Sequence, residues 1–191
     1  MKSFRCLARY IAAIAVIAAA SGFNAAAYGN HYILPCPPEC RDLPNVPIGP
    51  GITGVWIDPT QSGHGFIIEI LPGEPLQMAV RWYVFDPLGG QTWIAADGVV
   101  TGDEAVVTGY RITGSGARFA PKFDPANIQE EPWGTLTFSF KDCNHGSVEW
   151  VAKSPNYGSG AMDLVRLTLP AGLTCTEPQG GAARGTGGTQ P

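Results

Sequence analysis

Three histidines are the first place to look for chemistry in this chain: His31, His64 and His145. None sits at H-x-H, H-x3-H or HExxH spacing, the intervals that carry two imidazoles to one metal ion. The sequence therefore predicts no metal site and no cofactor. Ser62-Gly63-His64-Gly65 sets a hydroxyl near an imidazole. It departs from the G-x-S-x-G elbow, which must also run from a strand into a helix. Glu69 and Glu149 are out of phase with their apolar neighbours Phe66/Ile68 and Val148/Trp150. That phase makes them solvent-face residues or cross-strand partners for Arg81 and Arg166. Gly114-Ser115-Gly116 begins like a dinucleotide fingerprint, but Phe119 stands at the third glycine and no helix follows to hold a phosphate.

The aromatic residues say more. Trp56, Trp82, Trp93, Trp133 and Trp150 all fall in or at the edge of strand-like segments. Packing in a β core is the plain expectation for each of them. Two or three lining a pocket or flat face would stack on a sugar or small cyclic ligand, with a few polar groups setting its orientation. The candidate ligand-binding set is Trp82, Trp93, Arg81, Tyr83, Glu69 and His64. In its sharpest form, Glu69, Arg81 and Tyr83 project into a barrel cavity. A hydrolase using Glu69, His64 or Glu149 is the alternative, and it requires those side chains to converge in one cleft.

The elements that must position these residues are short alternating strands. They are expected near 52–58, 64–71, 77–85, 91–97, 104–112, 133–141, 146–152 and 161–169. Thr135 to Phe140 sorts Leu136, Phe138 and Phe140 onto one face and hydroxyls onto the other. Pro72-Gly73, Asp86-Pro87-Leu88-Gly89-Gly90 and Thr101-Gly102-Asp103 supply the turns. One helical turn is expected at 124–129, with Asp124 as its cap and Pro125 in its first position. It falls in the long connection 113–132, where 117–120 could add a strand. The fold class is all-β, an antiparallel meander of about eight strands. An up-and-down barrel is favoured over a β-sandwich because short links pair neighbours and closure removes the edges.

Around that domain, 51–175, the chain divides by composition. Residues 1–27 read as a signal peptide, with Lys2, Arg5 and Arg9 before the uncharged run Tyr10 to Ala20 and small residues before Tyr28. The run is too short to span a bilayer, and no cysteine lies just behind it as in a lipoprotein. Residues 28–50 form a Pro-rich leader, stiff and irregular. Residues 176–191 form a Gly-rich tail expected to be disordered. Cleavage would leave nine basic and sixteen acidic residues, net −7 where the whole chain carries −4. Nucleic acid and anionic membranes are poor partners for that charge, and no later segment is long enough to cross a membrane.

Four cysteines would remain: Cys36, Cys40, Cys143 and Cys175. An even number in an exported chain predicts disulfides, whereas C-x3-C with two distant partners is a poor zinc pattern. If the last two strands turn around 155–158, their paired residue numbers sum to about 313. Cys143 then lies near the segment that carries Cys175. This favours Cys143–Cys175 with Cys36–Cys40.

Two resemblances attach to these residues. Gly54-Val55-Trp56-Ile57-Asp58-Pro59, Ser62-Gly63-His64-Gly65-Phe66, Trp82-Tyr83-Val84-Phe85-Asp86-Pro87, Gly90, Trp93, Trp133-Gly134 and Cys143 resemble a family of secreted bacterial β domains. That resemblance covers nearly all of 51–175 and implies export and a β fold. Gly51 to Trp56 is also similar to the opening strand of avidin-type and lipocalin-type barrels, where a Gly-x-Trp packs at the closed end. Avidin's biotin contacts find no counterpart downstream. The sequence thus predicts an exported module, periplasmic or extracellular, that binds a small ligand, a glycan or an envelope partner without catalysis. A secreted hydrolase and a structural envelope component are the alternatives.

Overall fold

The computed structural model describes residues 35–176. The expected signal peptide, the start of the leader and nearly all of the tail lie outside them. Eight strands follow one another in the chain: β1 (Gly54–Ile57), β2 (Gly65–Leu71), β3 (Gln77–Phe85), β4 (Gln91–Thr101), β5 (Glu104–Thr113), β6 (Gln129–Phe140), β7 (His145–Ala152) and β8 (Ser159–Arg166). Each pairs antiparallel with the next, and β8 returns to β1 through Trp56↔Arg166 and Ile57↔Val165. The sheet is a closed barrel, not a sandwich.

Alternation decides what fills it. On β3, Met78, Val80, Trp82 and Val84 are buried while Tyr83 and Phe85 are exposed. On β6, Leu136, Phe138 and Phe140 are fully buried, each in phase with the next. An eight-stranded barrel is about wide enough for such side chains to meet at its centre. Phe66 and Phe138, from opposite parts of the meander, meet edge to face at 5.6 Å.

One end is closed by the leader. The Val46 amide donates to the Phe140 carbonyl at 2.8 Å and the Ile48 amide to the Gly102 carbonyl at 2.9 Å. Val46, Ile48 and Ile52 join the buried core. Trp56 is fully buried there; its indole N–H donates to the Ile52 carbonyl at 2.9 Å and its ring lies 4.8 Å from Phe140. The Arg166 guanidinium sits 5.5 Å from the Trp56 ring and donates to the Gly51 carbonyl. Arg166 is therefore a buried clamp on Trp56, and across the strands Glu69 faces Ala79 and Glu149 faces Ala161 rather than Arg166. Cys143–Cys175 bridges the β6–β7 turn to the segment after β8, and Cys36–Cys40 closes the single helical turn Pro38–Arg41.

Several boundaries differ from the sequence reading. The last hairpin pairs His145↔Val165, a sum of 310, three residues tighter than expected. The cysteines still meet, because the segment after β8 folds back across the barrel end. The helical turn at 124–129 is a 3-10 turn over Pro125–Asn127, with the Asp124 carboxylate accepting from the Ala126 amide at 3.0 Å. Residues 117–120 form no strand. The Gly116 amide instead donates to the Asn127 carbonyl and the Asp124 amide to the Gly116 carbonyl, closing the connection on itself.

Candidate functional site

Opposite the leader, the connections 58–64, 86–90, 114–128 and 153–158 crowd the second end of the barrel. Beneath them the inward side chains become aromatic. Phe66 stacks on Trp82 at 5.0 Å, and Trp82 meets Trp133 at 5.6 Å and Trp150 at 5.4 Å. Trp133 meets Tyr157 edge to face at 5.6 Å, and the Arg111 guanidinium lies 5.8 Å from the Tyr157 ring. One continuous path of rings thus runs from the barrel core to its surface.

Two backbone features make room for it. Gly160 pairs with Trp150, and a Cβ on Gly160 would come within 2.4 Å of the indole. The register of β5 against β6 shifts between Gly109 and Tyr110, which face Gly134 and Pro132 respectively. Trp133 is the extra residue. Its neighbours Gly134, Leu136, Phe138 and Phe140 hold the inward phase on β6, so an unbroken strand would turn Trp133 outward. The bulge re-aims it, and Trp133 is only 4% exposed.

Above these rings lies a cleft of about 420 Å³, walled by Asp86, Leu88, Arg111, Glu131, Asn156 and Tyr157 among others. Asp86 organises its own turn, accepting from the amides of Leu88 and Gly90 at 2.9 Å each. Glu131 faces Arg111 across the β5–β6 register, yet Arg111 makes no ion pair among the described residues. Trp82 Nε1, Trp133 Nε1 and Arg111 Nε are all buried without a hydrogen-bond partner.

The six residues named from sequence divide between the two sides of the wall. Trp82 is inside, 3% exposed. Tyr83 and Trp93 pair across β3 and β4 on the outer surface, and Phe85 joins them, its ring 5.5 Å from His64. Together with Gly63 and Gln91 they line a shallow depression of about 290 Å³. Arg81 and Glu69 continue the outward face, Arg81 opposite Ile67 and Glu69 opposite Ala79. Glu69, Arg81 and Tyr83 therefore do not project into a cavity, because the inward phase belongs to Met78, Val80 and Trp82. Arg81 spends a donor on the Val80 carbonyl at 2.8 Å. Glu149 lies outward on β7, three strands around the ring from Glu69 on β2. The convergence that a carboxylate–histidine cleft needs is not formed by Glu69, Glu149 and His64.

Asp58, beside His64, has a local task. Its carboxylate accepts from the Thr60 amide at 2.8 Å, the Thr60 hydroxyl at 2.7 Å and Gln61 Nε2 at 2.8 Å. Burial alone would raise its pKa, but the bonds from Thr60 and Gln61, with His64 nearby, hold it below the ordinary carboxylate value. Cys40, Asp142 and His145 gather within 4.8 Å in a metal-like group. The Cys40 sulfur is spent in its disulfide, and Asp142 accepts from the His145 ring and the amides of Asn144 and His145 as a turn latch.

Arg111 and Tyr157 are the site residues that sequence reasoning missed. Arg111 had a readable signal, since it continues the inward phase of Ala105, Val107 and Gly109. Tyr157 lies in a turn, where strand phase carries no information.

No known family, curated protein or solved structure matches this chain.

Proposed function

We propose that this chain is an exported, non-enzymatic β-barrel that binds a small ring-shaped ligand in the cleft between Arg111 and Tyr157. The observation that carries the reading is the path of rings from Phe66 through Trp82 and Trp133 to Tyr157, opening on a cleft of about 420 Å³. Small-molecule sites combine apolar and aromatic walls with a few placed polar groups, and barrel mouths are a favoured location for them. Binding rather than turnover is supported by Glu69, His64 and Glu149, none of which lines this cleft. Export is supported by the basic-then-apolar start of the sequence and by two disulfides of the kind that persist in oxidising compartments.

A thermal-shift screen of ring compounds tests this reading. Hits should raise Tm in the wild-type protein and lose their effect in Tyr157→Ala. A blank screen together with a blank glycan array would remove it. A second reading is favoured by the exposed patch of Tyr83, Phe85 and Trp93, a flat aromatic face suited to a glycan. Hits abolished by Trp93→Ala but not by Tyr157→Ala would select it.

A further inference from the structure

We infer that the ligand of this cleft is a ring compound bearing a single carboxylate, its ring against Tyr157 and its acid on Arg111. This rests on the binding reading above and adds the chemical class. The polar atoms left over in the aromatic floor are all of one kind. Trp82 Nε1, Trp133 Nε1 and Arg111 Nε can only donate, and all three are buried without an acceptor. Buried donors in folded proteins are almost always paired. Of the three, Arg111 lines the cleft, and its buried Nε calls for an acceptor from outside the chain. The two tryptophans are 3% and 4% exposed and do not line the cleft, so they hold its floor without reaching the ligand.

Arg111 supplies the charge preference. Its guanidinium rests by the Tyr157 ring at 5.8 Å and forms no ion pair among the described residues. A planar guanidinium beside an aromatic face is matched by a carboxylate attached to a ring: two parallel hydrogen bonds on one plane, stacking on the other. The acids of the cleft limit the ligand to one such group. Asp86 is bound to its turn, and Glu131 stands exposed opposite Arg111 on β6. A second ligand carboxylate would meet Glu131, whereas a hydroxyl could donate to it. An aromatic acid and a uronic acid both satisfy this chemistry.

Calorimetric titrations of the disulfide-bonded protein at low salt decide the matter, using benzoate against benzyl alcohol and glucuronate against glucose. In at least one pair the acid should bind ~10-fold or more tightly than its neutral partner, and that preference should weaken as salt is raised. The preferred pair identifies an aromatic or a sugar acid. Arg111→Gln should bring acid and neutral ring to within about 2-fold of each other, and Glu131→Gln should strengthen acid binding a few-fold. The Glu131 variant keeps the test open if Arg111→Gln does not fold. Equal binding of acid and neutral ring to the wild type would overturn the carboxylate assignment and leave the binding reading standing. An acid preference unchanged in Arg111→Gln would also overturn it, as would no binding by all four probes. Screen hits confined to neutral compounds would likewise separate the two ideas.

Discussion

Adding one methyl group at Gly160 should collapse the aromatic floor from below. A Cβ there would lie 2.4, 2.7 and 3.0 Å from Cζ2, Cη2 and Cε2 of Trp150. Ordinary carbon–carbon contact is about 3.5–4.0 Å, so the overlap is roughly 1 Å against the rigid edge of an indole. Trp150 in turn packs on Trp82 at 5.4 Å, which limits its retreat. Overpacking of this kind costs about 1–3 kcal/mol. For a domain of this size that lowers Tm by roughly 3–5 °C per kcal/mol. Gly160→Ala should therefore melt well below the wild type and lose near-ultraviolet dichroism as the stack rearranges. Gly158→Ala, two residues earlier, is the control. Its φ is +61° with nothing within 4 Å, so it should cost about 1 kcal/mol of backbone strain and leave the dichroism intact. Trp150→Phe should partly rescue Gly160→Ala, because the smaller ring frees the space that the methyl needs. The double-mutant cycle from urea unfolding should give a coupling of about 1–2 kcal/mol. A coupling of zero, or unaltered dichroism in Gly160→Ala, would refute the packing described for Trp150.

The Cys143–Cys175 bridge spans a sequence separation of 32, so Cys143→Ser with Cys175→Ser should lose about 3–4 kcal/mol; a Cys36–Cys143 peptide in non-reducing mapping would contradict the pairing. Asp58 has a folded pKa held below its unfolded value, so its stabilisation is full above about pH 4 and vanishes as pH falls through the folded pKa. Asp58→Asn should be the less stable protein at pH 7, with the gap narrowing toward pH 2 in urea midpoints; parallel curves would show that Asp58 does not carry this linkage. Ile48→Ala should cost about 2–4 kcal/mol, because Ile48 is 5% exposed within the core that the leader closes; a cost under about 0.5 kcal/mol would mean the leader does not seal the barrel.

The strands were legible because their alternation is nearly unbroken. Met78, Val80, Trp82 and Val84 face inward as their period of two requires, and Leu136, Phe138 and Phe140 do the same. Closure followed from short links and turn residues such as those at 86–90. The site was less legible for a specific reason. Placing Tyr83, Arg81 and Glu69 inside required the opposite sign of the β2 and β3 faces, and sequence alone does not fix that sign. Trp133 was expected in the core and lies there, but the bulge opposite Gly109 that turns it inward is announced by no local pattern. Arg111 was hidden by habit, since an arginine at a strand end reads as solvent-facing. Its phase with Ala105 and Val107 pointed inward all along.

The indole N–H resonances of the five tryptophans test the central claim most directly. Assigned by Trp→Phe substitution and followed while a screen hit is titrated, they report on both sides of the wall at once. The cleft account predicts that the Trp133 signal, against Tyr157 of the cleft wall, shifts and saturates, while Trp56, bonded to Ile52 at the leader end, stays still. A hit that moves only Trp93 would place the ligand on the outer face and contradict it.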